Sequence, residues 1–151
     1  MKVLSWDDYF VNQLDLIAMK SKDPHTQVGA IIVGANHEIR STGYNSFPRG
    51  INDDVPERCQ RPEKYKWIEH AERNAIYNAA MIGTSTADCT IYIRFYPCVD
   101  CARGIINCGI KEVVIASSQG KSVSEKWYED FEIASVMFKE ANIKVRRMDD
   151  N

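Results

Sequence analysis

The most informative part of the sequence contains His70-Ala71-Glu72 and, further along, Pro97-Cys98-Val99-Asp100-Cys101. Each stretch lies where the pattern predicts the beginning of a helix. Cys98 and Cys101 are three positions apart in a first helical turn, so their sulfurs face the same way. A helix N-terminus favours negative charge, and therefore the thiolate form of cysteine that binds metals. Two thiolates and one imidazole are a donor set typical of zinc.

The number of ligands distinguishes a structural zinc from a catalytic zinc. A structural zinc takes four protein ligands, whereas a catalytic zinc keeps one position for water. Cys108 lies ~10 Å along the helix from Cys101, and Cys89 lies up to ~30 Å before Cys98 along a strand. Cys59 lies in an irregular segment, so its position stays open. We expect one catalytic Zn²⁺ per chain, bound by a water and by His70, Cys98 and Cys101.

Glu72 follows the histidine by two positions and is the candidate catalytic residue. Zinc lowers the pKa of its water toward ~7. A carboxylate beside the metal can then take the proton from water and deliver it to a substrate. Positions two apart on a regular helix point nearly opposite ways. His70 and Glu72 can therefore face one site only if His70 lies at the helix cap, outside helical dihedrals.

Around these two stretches the pattern predicts an α/β fold. A capping box of Ser5 and Asp8 opens a first helix that should run out near Ser21. The first two strands should be antiparallel, because their connection is short, and the later strands parallel, because helices separate them. Strands are predicted over 28–33, 39–44, 89–95, 112–116 and 143–147, and further helices over 69–81, 98–108 and 122–141. The expected architecture is a mixed five-stranded sheet with helices on both faces, in three layers.

Two further segments bear on the site. Residues 45–66 are predicted to be irregular, and a loop of this length inside a compact domain is usually functional. The long helix that a capping box at 122–125 opens carries an apolar stripe, which we interpret as core packing and not as part of a site. Its members are Trp127, Phe131, Ala134, Phe138 and Ala141.

Length and composition indicate an ordinary globular protein. With 151 residues, 44% hydrophobic and 26% charged, the chain is expected to form a single domain over 1–151. No stretch approaches the ~20 apolar residues of a membrane span, and the first residues lack a signal peptide's apolar core. We expect a cytoplasmic protein without a membrane partner. The net charge of −2 argues against a stable nucleic-acid partner.

Further residues match one branch of a known family. They are Ser21-Lys22-Asp23-Pro24, Thr26-Gln27-Val28-Gly29-Ala30, Gly43-Tyr44-Asn45, Phe47-Pro48-Arg49-Gly50, Asn74-Ala75-Ile76 and Tyr96. With the histidine and cysteine motifs, they make the chain resemble the zinc nucleobase deaminases, and among these the deoxycytidylate (dCMP) deaminases. The resemblance implies a cytidine-deaminase-like fold and zinc-dependent hydrolysis of dCMP to dUMP and ammonia, feeding thymidylate synthesis. The family occurs in cells and in bacteriophages, so a phage protein would work in the host cytoplasm.

The resemblance also implies which residues contact the substrate. It assigns Ser21 and Lys22 to the 5′ phosphate, Thr26 and Val28 to the pyrimidine wall, Asn45 to the sugar 3′ hydroxyl, the Ala71 N–H to the base carbonyl, and Tyr96 to the sugar. Many members are hexamers that dCTP activates and dTTP inhibits, so a homo-oligomer and a dNTP effector, with Mg²⁺, are expected. The loop from 45 to 67 resembles the effector region. Its candidate effector residues are Ser46, Arg49, Asn52, Asp53, Lys64 and Trp67.

Two positions depart from the family pattern, and three other functions share parts of it. Ser46 stands where glycine is usual, and Arg73 follows Glu72 where leucine is common.

A deaminase of bases in tRNA or single-stranded DNA has the same zinc motif, but it needs a basic, aromatic groove. A free cytidine deaminase would not prefer the 5′ phosphate. A non-enzymatic zinc module would use Cys59 as a fourth ligand.

Overall fold

A computed structural model describes residues 1–116 and 127–148. The strands of this part of the chain are β1 (Gly29–Val33), β2 (Ile39–Tyr44), β3 (Thr90–Ile93), β4 (Glu112–Ile115) and β5 (Lys144–Arg147). The helices are α1 (Trp6–Ala18), α2 (Lys64–Trp67), α3 (Ala71–Ile82), α4 (Val99–Asn107) and α5 (Tyr128–Glu140), and a 3₁₀ helix spans Pro56–Cys59. The strands form a sheet in the order β2-β1-β3-β4-β5.

The sheet mixes both strand directions. β1 is antiparallel to β2 and to β3, whereas β3, β4 and β5 are parallel. β1 and β2 form a hairpin, because a short turn joins them. The parallel strands are connected through α4 and α5, as crossover connections require. The prediction of a mixed five-stranded α/β fold is therefore confirmed.

Helices cover the two faces of the sheet. On one face, Phe10 and Leu14 of α1 pack with Ile31 and Tyr92. On the other face, α3, α4 and α5 supply the apolar side chains that pack on the sheet. The interior strand β1 is buried along its whole length, because both of its faces are covered.

Close contacts with β2 fix the start of α3. A side-chain Cβ at Gly43 would lie 2.4 Å from the Ala71 carbonyl oxygen, so only glycine allows this approach. The Asn74 amide of α3 donates to the Tyr44 carbonyl at 2.8 Å. The helix that begins directly after His70 is therefore held against the sheet.

Some element bounds differ from the sequence prediction. Residues 45–66 are not entirely irregular, because they include the 3₁₀ helix and most of α2. α1 ends at Ala18, three residues before the predicted limit. The predicted capping box at 122–125 lies outside the described residues. None of the helices in 1–116 and 127–148 is long and apolar enough to cross a bilayer.

Candidate active site

Two helix N-termini bring the predicted metal ligands together. His70 is the N-cap of α3, with φ −77° and ψ 151°. Cys98 is the N-cap of α4, with φ −67° and ψ 169°. Both caps are extended, and Cys101 lies in the first turn of α4. The prediction that His70 lies outside helical dihedrals is confirmed, so its ring and the Glu72 carboxyl can face the same space.

The three donor atoms are spaced as one tetrahedral zinc ion requires. His70 Nδ1 lies 3.5 Å from Cys98 Sγ and 3.5 Å from Cys101 Sγ. Zinc bonds of ~2.3 Å to sulfur and ~2.0 Å to nitrogen, at tetrahedral angles, separate those atoms by about 3.5 Å. No other group of three or more such ligands occurs in the part of the chain that the structure describes, and Cys59 does not join this one. The group therefore leaves a fourth position for water.

The protonation of the thiols also fits a divalent cation. The hydrogen bond with Cys101, followed by that with His70, lowers the pKa of Cys98 to about 4. Hydrogen bonding to Cys98, followed by burial, raises the pKa of Cys101. Two buried thiolates side by side repel each other, and a cation between them removes the repulsion. The chemistry of this donor set is that of a zinc site.

Glu72 lies against the same sulfurs. Glu72 is only 8% exposed, and its Oε2 lies 3.6 Å from the Cys101 thiol. Burial raises the pKa of the Glu72 carboxyl. A carboxyl whose pKa is raised can accept a proton and release it again closer to neutral pH. Glu72 is therefore placed to exchange protons with a molecule at the metal.

A cavity of about 730 Å³ opens over the metal cluster. A volume of this order suits a small ligand such as a mononucleotide. His70, Glu72 and Cys98 lie in its wall. Five residues that the resemblance assigns to the substrate also line it, namely Thr26, Val28, Asn45, Ala71 and Tyr96.

Asn45 holds one side of this cavity in shape. Its Oδ1 accepts from the Val28 N–H at 2.8 Å, and its Nδ2 donates to the Thr26 carbonyl at 2.9 Å. A longer contact of 3.4 Å joins Nδ2 to Asp23. The Asn45 carbonyl accepts from the buried Ser21 hydroxyl at 2.7 Å. Ser21 therefore supports the wall from behind and is not among the residues that line the cavity.

Lys22 lies elsewhere, at a second cavity of about 420 Å³. Its side chain is 63% exposed, and its ammonium pairs with Asp53 at 2.9 Å. Neither Lys22 nor Ser21 faces the metal cluster, so the geometry does not bring the two predicted phosphate residues to the substrate cavity. Asp23, Asn45 and Ile68 lie in the walls of both cavities.

The candidate effector residues are divided between three places. Ser46, Arg49 and Asp53 line the second cavity. Lys64 is buried, pairs with Asp23 and lines the substrate cavity. Asn52 and Trp67 contact Arg58, which donates to the Asn52 carbonyl at 2.8 Å and lies 4.0 Å from the Trp67 ring centre. The structure therefore does not gather all six residues at one site.

Sequence patterns missed several residues of the substrate cavity. They are His25, Arg61, Tyr65, Phe95, Trp127 and Phe131. Trp127 and Phe131 belong to the stripe interpreted as core packing and not as part of a site. Ala134 and Phe138 are buried in the core, and Phe131 packs against that core. The interpretation is wrong in one respect, because Trp127 and Phe131 also line the cavity. Ala141 is exposed. Position along a stripe could not reveal this, because the same apolar spacing suits a side chain that packs on a sheet and one that lines a cavity. Arg61 lies in an irregular segment, where periodicity carries no signal.

Comparisons with known proteins agree with this site. Residues 4–117 match the family model of the cytidine and deoxycytidylate deaminase zinc-binding region. The deoxycytidylate deaminase of Homo sapiens is 37% identical in an alignment 151 positions long. The alignment covers 95% of this chain and 80% of the human protein. An uncharacterized deaminase in the luxG 3′ region of Aliivibrio fischeri is 34% identical over 143 residues, with 95% of this chain and 93% of that protein covered.

The fold also has a solved counterpart. The crystal structure of dCMP deaminase from the cyanophage S-TIM5, in complex with dCMP and dUMP, superimposes with a TM-score of 0.76. The match covers 98% of this chain and 100% of that chain at 21% identity, so it supports the fold alone. From the family match and the identity to the curated relatives, the chain belongs to the cytidine and deoxycytidylate deaminase family of zinc-binding enzymes.

Proposed function

We propose that this enzyme hydrolyses dCMP to dUMP and ammonia, and that its product feeds thymidylate synthesis. One observation carries the proposal: three zinc-type ligands lie beside the buried Glu72 in the wall of a cavity that suits a mononucleotide. The identity to proteins named deoxycytidylate deaminase supports the choice of dCMP.

His70, Cys98 and Cys101 would hold one zinc ion in each chain. When bound, zinc supplies a Lewis acid that makes water nucleophilic near neutral pH. Glu72 accepts a proton from the attacking water and passes it to the ring nitrogen N3 of cytosine. Glu72 then takes the remaining proton of that oxygen, now bound to C4, and delivers it to the amino group, so that the C4–N bond breaks and ammonia leaves. The oxygen of the water stays on C4, which gives the uracil base.

The surrounding residues would orient the base and the sugar. Ala71 is the first residue of α3, so its N–H has no acceptor within the helix and is free to donate to the base carbonyl. Thr26 and Val28 pack on the pyrimidine, and Tyr96 flanks the sugar. The contact from Asn45 Nδ2 to Asp23 is long, at 3.4 Å, so this N–H could donate instead to the sugar 3′ hydroxyl.

Arg61 replaces Lys22 as our candidate for the 5′ phosphate. Arg61 is exposed at the substrate cavity, where its guanidinium can bind a phosphate with two parallel hydrogen bonds. Lys64, another long-chain cation in the wall of this cavity, is neutralised by Asp23. Lys22 is paired with Asp53 at the second cavity. The position of Arg61 adds a structural reason to prefer a mononucleotide to a free nucleoside.

The substrate is tested with a panel of dCMP, CMP, deoxycytidine, single-stranded DNA and tRNA, with zinc counted per chain. We expect the highest kcat/KM with dCMP. Turnover of DNA or tRNA alone would contradict the proposal, and equal kcat/KM for dCMP and deoxycytidine would replace it with a nucleoside deaminase.

We further propose that the second cavity binds a dNTP with Mg²⁺, with dCTP as activator and dTTP as inhibitor, in a homo-oligomer of six chains. The cavity has cationic side chains in its wall, among them Lys20, Lys22 and Arg49. It shares Asp23 and Asn45 with the substrate cavity, so a ligand there could shift the substrate wall. Velocity measured against dCMP, with and without each dNTP, tests the regulation. Sedimentation tests the number of chains.

A further inference from the structure

His25 lies in the wall of the substrate cavity, and neither the metal cluster nor the proton transfer uses it. Its side chain is 33% exposed, and its Nδ1 lies 3.7 Å from Asp23 Oδ1. The other ring nitrogen, Nε2, has no partner among the residues that the structure describes. A ring nitrogen that carries hydrogen is a donor, so His25 brings a donor to the cavity that no described protein group occupies.

Asp23 holds His25 in place through the backbone. The Asp23 oxygen that faces the ring also accepts from the His25 N–H at 2.8 Å. The second oxygen accepts from the Lys64 ammonium at 2.7 Å. Because these two hydrogen bonds do not involve the imidazole, a substitution of His25 should leave the turn after α1 in its position.

Arg61 lies close to the same ion pair on another segment. It lies three residues before Lys64, and the Lys64 N–H donates to the Gln60 carbonyl at 2.8 Å, which closes a turn around Arg61. Its guanidinium also has no partner among the described residues. Two side chains without a bound partner therefore lie near the Asp23–Lys64 pair, one on each of two segments that line the cavity.

The direction of a nucleotide in the cavity relates its phosphate to this pair. The base must reach the metal cluster, on the side where Val28 packs against the core beside α3. Asp23 lies at the other end of the segment 23–28, and Asn45 Nδ2, our candidate for the sugar, is 3.4 Å from it. A 5′ phosphate is attached to the sugar on the side away from the base, which is the side of His25 and Arg61.

The charges leave a place for a second donor beside Arg61. A phosphate monoester carries about −1.5 to −2 charges at pH 7. The Asp23–Lys64 pair is neutral, and Arg61 supplies a single positive charge. We propose that His25 is a specificity-determining residue, which binds the 5′ phosphate through Nε2 together with Arg61. The inference rests on the proposed function, because it takes the ligand of the cavity to be a mononucleotide.

The other explanation is that His25 only completes the wall of the cavity. The two explanations differ in the ligand that the substitution affects. If His25 binds the phosphate, its removal weakens the binding of a nucleotide and not that of the nucleoside. If His25 only shapes the wall, both ligands lose affinity to the same extent.

The experiment uses the full-length, zinc-loaded protein and measures the Kd of dUMP and of deoxyuridine by calorimetry, so that no turnover is needed. The variants are His25→Leu, which removes every polar atom of the ring, His25→Gln, which keeps an N–H donor without a charge, and His25→Leu combined with Arg61→Ala. His37→Gln is the control, because His37 lines neither cavity and stacks on Trp6. Zinc per chain and thermal unfolding are measured for each protein.

We expect His25→Leu to reduce the preference for dUMP over deoxyuridine about tenfold and to leave the Kd of deoxyuridine as in the wild type. His25→Gln should lose less of the preference, the double variant nearly all of it, and His37→Gln none. An unchanged preference in His25→Leu would overturn the inference, as would an equal loss of affinity for both ligands. If His25→Leu does not fold, an unchanged preference in His25→Gln would overturn it.

The wild type separates this inference from the proposed function. A wild-type protein that binds dUMP no more tightly than deoxyuridine would contradict the choice of a mononucleotide, and the phosphate contact of His25 with it. A wild-type preference for dUMP that survives in both His25 variants would overturn the role of His25 alone.

Discussion

The Lys64 ammonium donates to Asp23 Oδ2 at 2.7 Å, between two side chains that are 7% and 4% exposed. The other oxygen of Asp23 accepts from the backbone N–H groups of His25 and Thr26. This buried ion pair therefore fixes the segment that forms one wall of the substrate cavity. It ties α2 to the turn after α1, and the strength of the pair should affect both folding and substrate binding.

Lys64→Met should destabilise the protein strongly. The substitution keeps most of the side-chain volume but leaves the Asp23 carboxylate buried without its cation. Removing one partner of a buried ion pair costs about 3–5 kcal/mol in the free energy of unfolding. The change is measured by urea unfolding of the wild type and the variant at neutral pH.

Lys66→Met is the matched control for this change. Lys66 lies two residues along, is 74% exposed and pairs with Glu63 on the surface. An exposed pair contributes less than about 1 kcal/mol. Equal losses in the free energy of unfolding of the two variants would mean that burial does not determine how much the Lys64–Asp23 pair stabilises the protein.

The same ion pair predicts how stability depends on pH. Burial by itself would raise the pKa of Asp23, but hydrogen bonds from Lys64 and from the backbone N–H groups of His25 and Thr26 outweigh it and lower the pKa. In the unfolded chain the Asp23 pKa is ~3.9. The stabilisation is therefore complete above that pH and is lost as the pH falls through the lower pKa of the folded state.

The measurement compares wild type with Asp23→Asn by urea unfolding at several values of pH, from neutral down to about 3. The asparagine does not titrate, and both proteins contain the same metal cluster. The difference between their free energies of unfolding should shrink as the pH falls. A difference that stays constant or grows on acidification would contradict the lowered pKa of Asp23.

Sequence patterns predicted the parts of the site that depend on neighbouring residues. The N-cap positions of His70 and Cys98 follow from two helix starts, and the directions of the strands follow from short turns and crossovers. The Lys64–Asp23 pair joins residues 41 positions apart through a segment without periodicity, so no local pattern could reveal it. Lys22 and Asp23 are adjacent in sequence, yet Lys22 lines the second cavity alone, whereas Asp23 lies in the walls of both cavities and pairs with Lys64.

Glu72→Gln should separate proton transfer from metal binding. The amide has nearly the same shape and does not ligate the metal, so zinc per chain and the thermal unfolding midpoint should stay close to wild type. Turnover of dCMP should fall by ~10²–10⁴-fold, the usual contribution of a positioned acid–base group. Glu57→Gln, at an exposed carboxylate of the 3₁₀ helix, is the control. Near-normal turnover with full zinc in Glu72→Gln would remove Glu72 from the mechanism.

Arg61→Ala and Lys22→Ala should differ in their effect on the binding of the 5′ phosphate. A hydrogen bond to a charged group contributes about 1.5–3 kcal/mol, so Arg61→Ala should raise KM for dCMP roughly tenfold or more. The KM for deoxycytidine, which has no phosphate, should change little. Lys22→Ala removes the same charge at the second cavity, where Lys22 pairs with Asp53, and should leave the ratio of the two KM values as in the wild type. The opposite result would be a changed ratio of the two KM values in Lys22→Ala and not in Arg61→Ala. It would mean that Lys22 binds the 5′ phosphate, and that the segment around Lys22 moves toward the metal cluster when substrate binds.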